Sequence, residues 1–318
     1  MKKAIEGFET AALFVGSVVG AGFATGREII LFFGESGVAG LAVAALFMAV
    51  CAFAFMDMGA RGVRLDPRLE LSVDTVVAVA SFAVYAAMIA AAESVLAAWT
   101  GRKGLSVPIA LFVMLFAGKR MAWVSRLNLV AVPLMAALIV LVGSRSAGRG
   151  AGEGIDLLRS LAYGGMNLLF SGALMRKEGA RLTLSARIVA SVLSGVVIFL
   201  MMYFLWRSVR GDASAEMPFL AAASREGLGT VALLALLLAI VTTMASTAFL
   251  VTDRVNALFR DPVLSSSLVT LFAVLLSSVG FSPLVTYTYP VVSYLGLAAT
   301  GVAILMWFYD IAKSFSKE

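Results

Sequence analysis

Hydrophobic residues along this chain come in long runs, separated by short stretches that hold most of the polar and basic positions. Ten runs can be drawn, at 8–33, 37–58, 72–99, 107–118, 122–143, 157–175, 183–206, 228–252, 263–280 and 285–309. Most are long enough for a helix to cross the apolar core of a bilayer, which takes about 20 residues. The pattern predicts an all-α integral membrane protein of ten transmembrane helices. The first run follows Met1-Lys2-Lys3 and extends far beyond a signal-peptide core, so it is expected to be retained. The fourth is the weak one, since twelve helical residues reach only about 18 Å. The longest polar stretch, 207–227, contains a short amphipathic segment starting at Met217-Pro218-Phe219-Leu220, either a cap helix or an ordinary surface loop.

Loop charge arbitrates the count. With ten spans and the N-terminus inside, 16 of the 25 basic residues fall on the cytoplasmic side, Arg61, Arg64, Arg126 and Arg176 among them. Removing the fourth span leaves 11 inside against 14 outside. The positive-inside rule therefore favours ten spans, both termini cytoplasmic, in a cell's inner membrane. Composition agrees. Of the 318 residues 61% are hydrophobic and 14% charged, where soluble domains carry about a quarter charged. This argues against a cytosolic enzyme, a disulfide scaffold or a disordered regulator. The net charge of +6 lies in loops and marks membrane orientation, so nucleic acid is not an expected partner. The single cysteine, Cys51, cannot form an intramolecular disulfide. There is no histidine, hence no imidazole metal site and no Ser-His triad. No metal-ligand cluster or nucleophile–base arrangement stands out, so no cofactor is expected and an enzyme is the least favoured class. The expected partners are lipid and a small-molecule substrate, with no obligate protein partner.

The first run holds GSVVGAGFATGRE, with Gly16, Gly20, Gly22 and Gly26 in eleven positions. Two small-xxx-small pairs would serve helix packing; an unwound segment facing a cavity would use the same glycines. The sixth run contains Tyr163-Gly164-Gly165-Met166-Asn167, so a second break is expected there. Gly20 and Gly164 lie 144 positions apart, close to half the chain. Two halves of five spans, about 5–145 and 155–310, each opening with a broken helix, would form an inverted repeat. Paired glycine-interrupted segments of this kind point to a transporter site.

These residues resemble the first-span motif of the amino acid–polyamine–organocation superfamily, which includes the LeuT-type transporters. More narrowly, VVGAGFATGREI with FFGESG, the Tyr163/Asn167 segment and Tyr289-Pro290…Tyr294-Leu295-Gly296 resembles the YkvI-type bacterial membrane proteins. The resemblance implies a substrate site around Gly20, with amides from Ala21 and Gly22, carbonyls from Ser17 and Val18, and side chains from Tyr163 and Asn167. Tyr85 is a further candidate, because a hydroxyl at membrane depth needs a partner. Phe23, Met88, Met166 and Phe170 are weaker ones, as packing alone explains such residues.

Ala239-Ile240-Val241-Thr242-Thr243 resembles the Ala-x-x-Thr/Ser-Thr/Ser pattern of sodium-coupled members. It implies a sodium site from the carbonyls of Gly16, Val19 and Ala239 and the hydroxyls of Thr242 and Thr243. Ser246 and Thr247 offer a second register. Residues 127–143 contain no lysine, which some proton-coupled relatives place where sodium would sit. Glu93, inside the third run, keeps a proton-coupled alternative open. Arg27 and Glu28 read as part of an outer gate or as an interfacial pair, and Asp57 and Arg126 as span ends without a special role.

With no charge in the centres of runs 1, 6 and 8, the expected substrate is a small zwitterion such as a neutral amino acid. The expectation is a sodium-coupled symporter working by alternating access, with a channel or a non-transporting sensor as rivals.

Overall fold

A computed structural model describes residues 2–63, 67–117, 121–146 and 154–315, with the side chains of 2–4, 116–129 and 315 outside the description. Of the charge argument, Arg64, Lys119, Arg120 and Lys317 thus lie outside the described residues, as do the side chains of Lys2, Lys3 and Arg126. Each of the ten expected segments is helical, and no strand occurs among the described residues. Five helices are long and apolar enough to cross a membrane on their own: α4 (Val38–Arg61), α5 (Pro67–Thr100), α9 (Leu184–Val209), α11 (Gly229–Phe259) and α13 (Phe281–Phe315). The helix α6 (Ser106–Ala117) is as short as expected, and α7 (Met121–Arg145) and α12 (Pro262–Ser277) are further apolar helices. The amphipathic segment is helical as well: α10 (Pro218–Arg225) buries Pro218, Phe219, Ala222 and Ala223.

Helix ends follow local chemistry. Pro262 opens α12 behind Asp261, whose carboxylate accepts from the amides of Val263 and Leu264, 3.0 Å each. The helix α8 (Leu157–Gly179) starts on Asp156, which accepts from the Arg159 amide at 2.9 Å. Gly62, at φ +68°, ends α4.

The first expected break is present. The first run forms α1 (Lys2–Val18), α2 (Ala21–Thr25) and α3 (Arg27–Phe33), separated at Val19-Gly20 and again at Gly26. Gly26 adopts φ +79°, and a Cβ there would lie 2.6 Å from Val209, so this turn requires glycine.

The second expected break is absent: α8 is continuous through Gly164 and Gly165. Those glycines let α8 sink between α4 and α13. A Cβ on Gly164 would lie 2.6 Å from the Phe47 ring, and one on Gly165 would lie 2.6 Å from the Leu297 Cα. Across this contact, Gly296 faces the Gly165 carbonyl. Close approach, not unwinding, explains the pair. Broken helices in both halves are thus corrected to one broken helix.

Candidate functional site

The break at Val19-Gly20 borders a cavity of about 280 Å³ enclosed by α1, α2, α7, α8 and α11, with single residues from α3, α5 and α13. It extends from the break past Phe170 and Leu250, toward the end of the bundle where α1 begins and α13 finishes. On the opposite side the lining stops at Glu28 and Tyr289.

An unwound stretch frees backbone groups that a continuous helix would pair. The Gly20 amide turns to the Val18 carbonyl at 2.9 Å, so Val18 does not offer the carbonyl expected of it. No described donor reaches the carbonyls of Gly16, Ser17 or Val19, and no described acceptor engages the amides of Gly22 or Phe23. The Ala21 amide is engaged, donating to the Thr243 hydroxyl at 3.2 Å. Gly20, at the N-cap of α2, has no side chain to serve that purpose, and α11 supplies one.

The five residues of the expected sodium set all border this cavity. The Thr242 hydroxyl donates back to the Ala239 carbonyl at 3.0 Å. Ser246 and Thr247, the second register, also spend their hydroxyls on their own helix, at Thr242 O (2.9 Å) and Thr243 O (2.7 Å). Thr243 alone of the four points its hydroxyl across to the broken helix. Asn167 lines the cavity from α8, its Nδ2 donating to the Tyr163 carbonyl at 3.0 Å.

Several expected residues lie elsewhere. Tyr85 is fully buried with its hydroxyl 3.2 Å from that of Thr270 on α12, outside the lining. Tyr163 packs behind the cavity, its ring centroid 5.3 Å from Phe32 and 5.1 Å from Phe33. Phe23 and Met88 are core residues, while Met166 and Phe170 do border the space. Glu93 accepts from the amides of Gly104 and Ser106, the latter at 3.0 Å and at the start of α6. It braces a loop, so it does not supply a proton site in the cavity.

Glu28 is the residue whose place the sequence reading missed. Arg27 and Glu28 are successive residues of α3 and so point to different faces of the helix. Arg27 reaches away to the carbonyls of Ala213 (3.1 Å) and Ala215 (3.5 Å) and to Ser282 Oγ (2.7 Å), strapping α3 to α13 and to the turn after α9. Glu28 turns inward, 7% exposed, and borders the cavity against Gly22. The cavity thus contains a carboxylate that the apolar centres of the runs did not announce.

Asp57 likewise has a role that its position at a span end concealed. It joins α4, α9 and α13, accepting from Arg61 Nε (2.6 Å), Trp307 Nε1 (2.9 Å) and the Arg187 guanidinium.

No family model matches the chain, and no curated protein matches it. Among solved structures it is similar to one described as "Inward facing conformation of Mhp1", at TM-score 0.59 and 12% identity, covering 95% of this chain and 76% of that one. At that identity the likeness concerns the fold alone: the chain shares the fold of that solved structure. Together with the apolar helices, this makes it a multi-pass membrane protein.

Proposed function

We propose that this chain is a secondary active transporter, of the YkvI-type branch of the amino acid–polyamine–organocation superfamily, carrying a small zwitterion by sodium symport. The observation that carries the reading is the unwound Val19-Gly20 stretch, which leaves carbonyls and amides unpaired beside a cavity shared with α8 and α11. Broken membrane helices are tolerated where they line a cavity, and their half-helix ends suit the opposite charges of a zwitterion. Ligand pockets usually start at about 300 Å³. A space of about 280 Å³ supports a solute the size of a small neutral amino acid.

Sodium would bind to oxygens of Gly16, Val19, Ala239, Thr242 and Thr243. In support, all five residues border one space and none adds a net charge. Thr242 would have to release the Ala239 carbonyl for both to face an ion. The reading includes ten spans in two inverted halves, about 5–145 and 155–310, with both termini cytoplasmic in the inner membrane. What favours a carrier over a channel is that the lining ends at Glu28 and Tyr289, behind which Arg27 straps three segments together.

Binding of radioactive sodium to the purified chain tests the ion assignment. Saturable binding that disappears in a Thr242→Ala/Thr243→Ala double variant is the expected result. Binding that survives in the double variant places the ion elsewhere.

A further inference from the structure

Glu28 has no part in the sodium and zwitterion reading, yet it is a buried carboxylate bordering the same cavity. An isolated carboxylate held in an apolar setting is costly as an anion unless a cation or hydrogen-bond donors accompany it. No described Lys or Arg lies within ion-pair distance of it. Its neighbour Arg27 is committed to Ala213, Ala215 and Ser282. Arg207 on α9 donates to the Ser146 carbonyl, and Arg210, just past the end of α9, lies over the Trp206 ring. Two tyrosines lie nearby: Tyr289 on α13, whose hydroxyl meets the same face of Gly22 as Glu28, and Tyr163 on α8, whose ring packs on Phe32 and Phe33 of α3. The Tyr163 hydroxyl is buried, with the Asn167 side chain as its polar partner.

Geometry restricts what cation Glu28 can take on its Gly22 side. A Cβ on Gly22 would overlap Glu28 Oε1 and lie 2.9 Å from the Tyr289 hydroxyl. No heavy atom fits between Oε1 and Gly22, and a proton on the carboxylate needs no such room.

We propose that Glu28 is a proton-binding site of this cavity, taking up one proton and releasing it as the cavity fills and empties, with Tyr289 and Tyr163 as its polar neighbours. The proton comes from water in the cavity and forms an O–H bond on the carboxylate. It returns to water when that bond breaks, and no electrons change hands. Protonated, Glu28 leaves the cavity neutral, the condition under which a zwitterion is least costly to hold. The proposal goes beyond sodium coupling and rests on the cavity itself, whatever the solute.

The test is infrared difference spectroscopy of the purified chain in lipid, between acidic and alkaline buffers. Wild type is expected to show a carboxylic-acid carbonyl band that follows pH. Glu28→Gln should lose that band and Tyr289→Phe should shift it, while Glu93→Gln keeps it. Gel filtration confirms that each variant is folded. A band unchanged in Glu28→Gln, or absent from folded wild type at both pH values, overturns the proposal. Counterflow of a labelled neutral amino acid, measured in parallel, separates this outcome from the transport reading. A band without wild-type counterflow keeps the proton site and removes the carrier; counterflow without a band does the reverse.

Discussion

The Ala21 amide and the Thr243 hydroxyl meet at 3.2 Å, across 222 residues of sequence. One contact thereby joins the two segments that the proposed mechanism needs: the broken first helix and the threonine pair of α11. The start of α2 is capped by a different helix. Any shift of α11 against α1 and α2 therefore changes both the proposed ion ligands and the half-helix amides.

Thr243→Val removes that cap and should lower stability by about 1 kcal/mol, the usual worth of an N-cap side chain. Thr243→Ser, which keeps the hydroxyl, should stay close to wild type. Thermal melts of the purified variants decide; a valine variant as stable as the serine one means that the Ala21 amide has found another partner.

The glycines of the first run should tolerate alanine unequally. A Cβ on Gly16 meets nothing within 4 Å, and one on Gly20 meets only Thr243 Oγ1 at 3.7 Å. Both alanine variants should fold with near wild-type melting temperatures. Gly22→Ala collides with Glu28 and the Tyr289 hydroxyl. Gly26→Ala meets Val209 at 2.6 Å and in addition pays about 1–2 kcal/mol for its left-handed backbone. Equal melting temperatures across the four would contradict this ranking.

On α8, the continuous helix makes its own prediction. Gly165→Ala must push α8 away from the Leu297 backbone, an overpacking change that typically costs about 1–3 kcal/mol. An unwound segment at Gly164-Gly165 would accept the extra methyl. A melting temperature unchanged in Gly165→Ala would therefore restore the second break.

At the other end of the bundle, Asp57→Asn leaves Arg187 without its carboxylate. The two side chains are 8% and 11% exposed, so the loss should approach the 3–5 kcal/mol of a broken buried pair, about 3 kcal/mol at least. Arg61→Ala, at a partner 39% exposed, should cost under about 1 kcal/mol. Denaturation midpoints of the two variants check the order.

What the sequence made legible follows from which forces act locally. Hydropathy located the ten helical segments, because an apolar run declares itself without reference to its neighbours. The break at Val19-Gly20 was visible in the density of Gly16, Gly20, Gly22 and Gly26. The same reasoning misjudged Gly164 and Gly165, since glycine serves unwinding and close approach alike. The choice between them lies with Phe47, Leu297 and Gly296 on other helices. Glu28 and Glu93 were misplaced for a similar reason: depth along a run says nothing about direction. Glu28 lies on the buried face of α3, and the amides of Gly104 and Ser106 hold Glu93 at the loop. Tyr85 found its partner in Thr270, 185 residues away, which no local pattern announces.

The central claim, sodium-coupled transport of a small zwitterion through the broken first helix, is tested most directly in proteoliposomes. Labelled neutral amino acids are offered at fixed pH, with external sodium or with choline in its place. Sodium-dependent accumulation above the equilibrium level is the predicted result, and Gly22→Leu should abolish it. Accumulation equally strong in choline, or wild-type uptake by Gly22→Leu, would contradict the account.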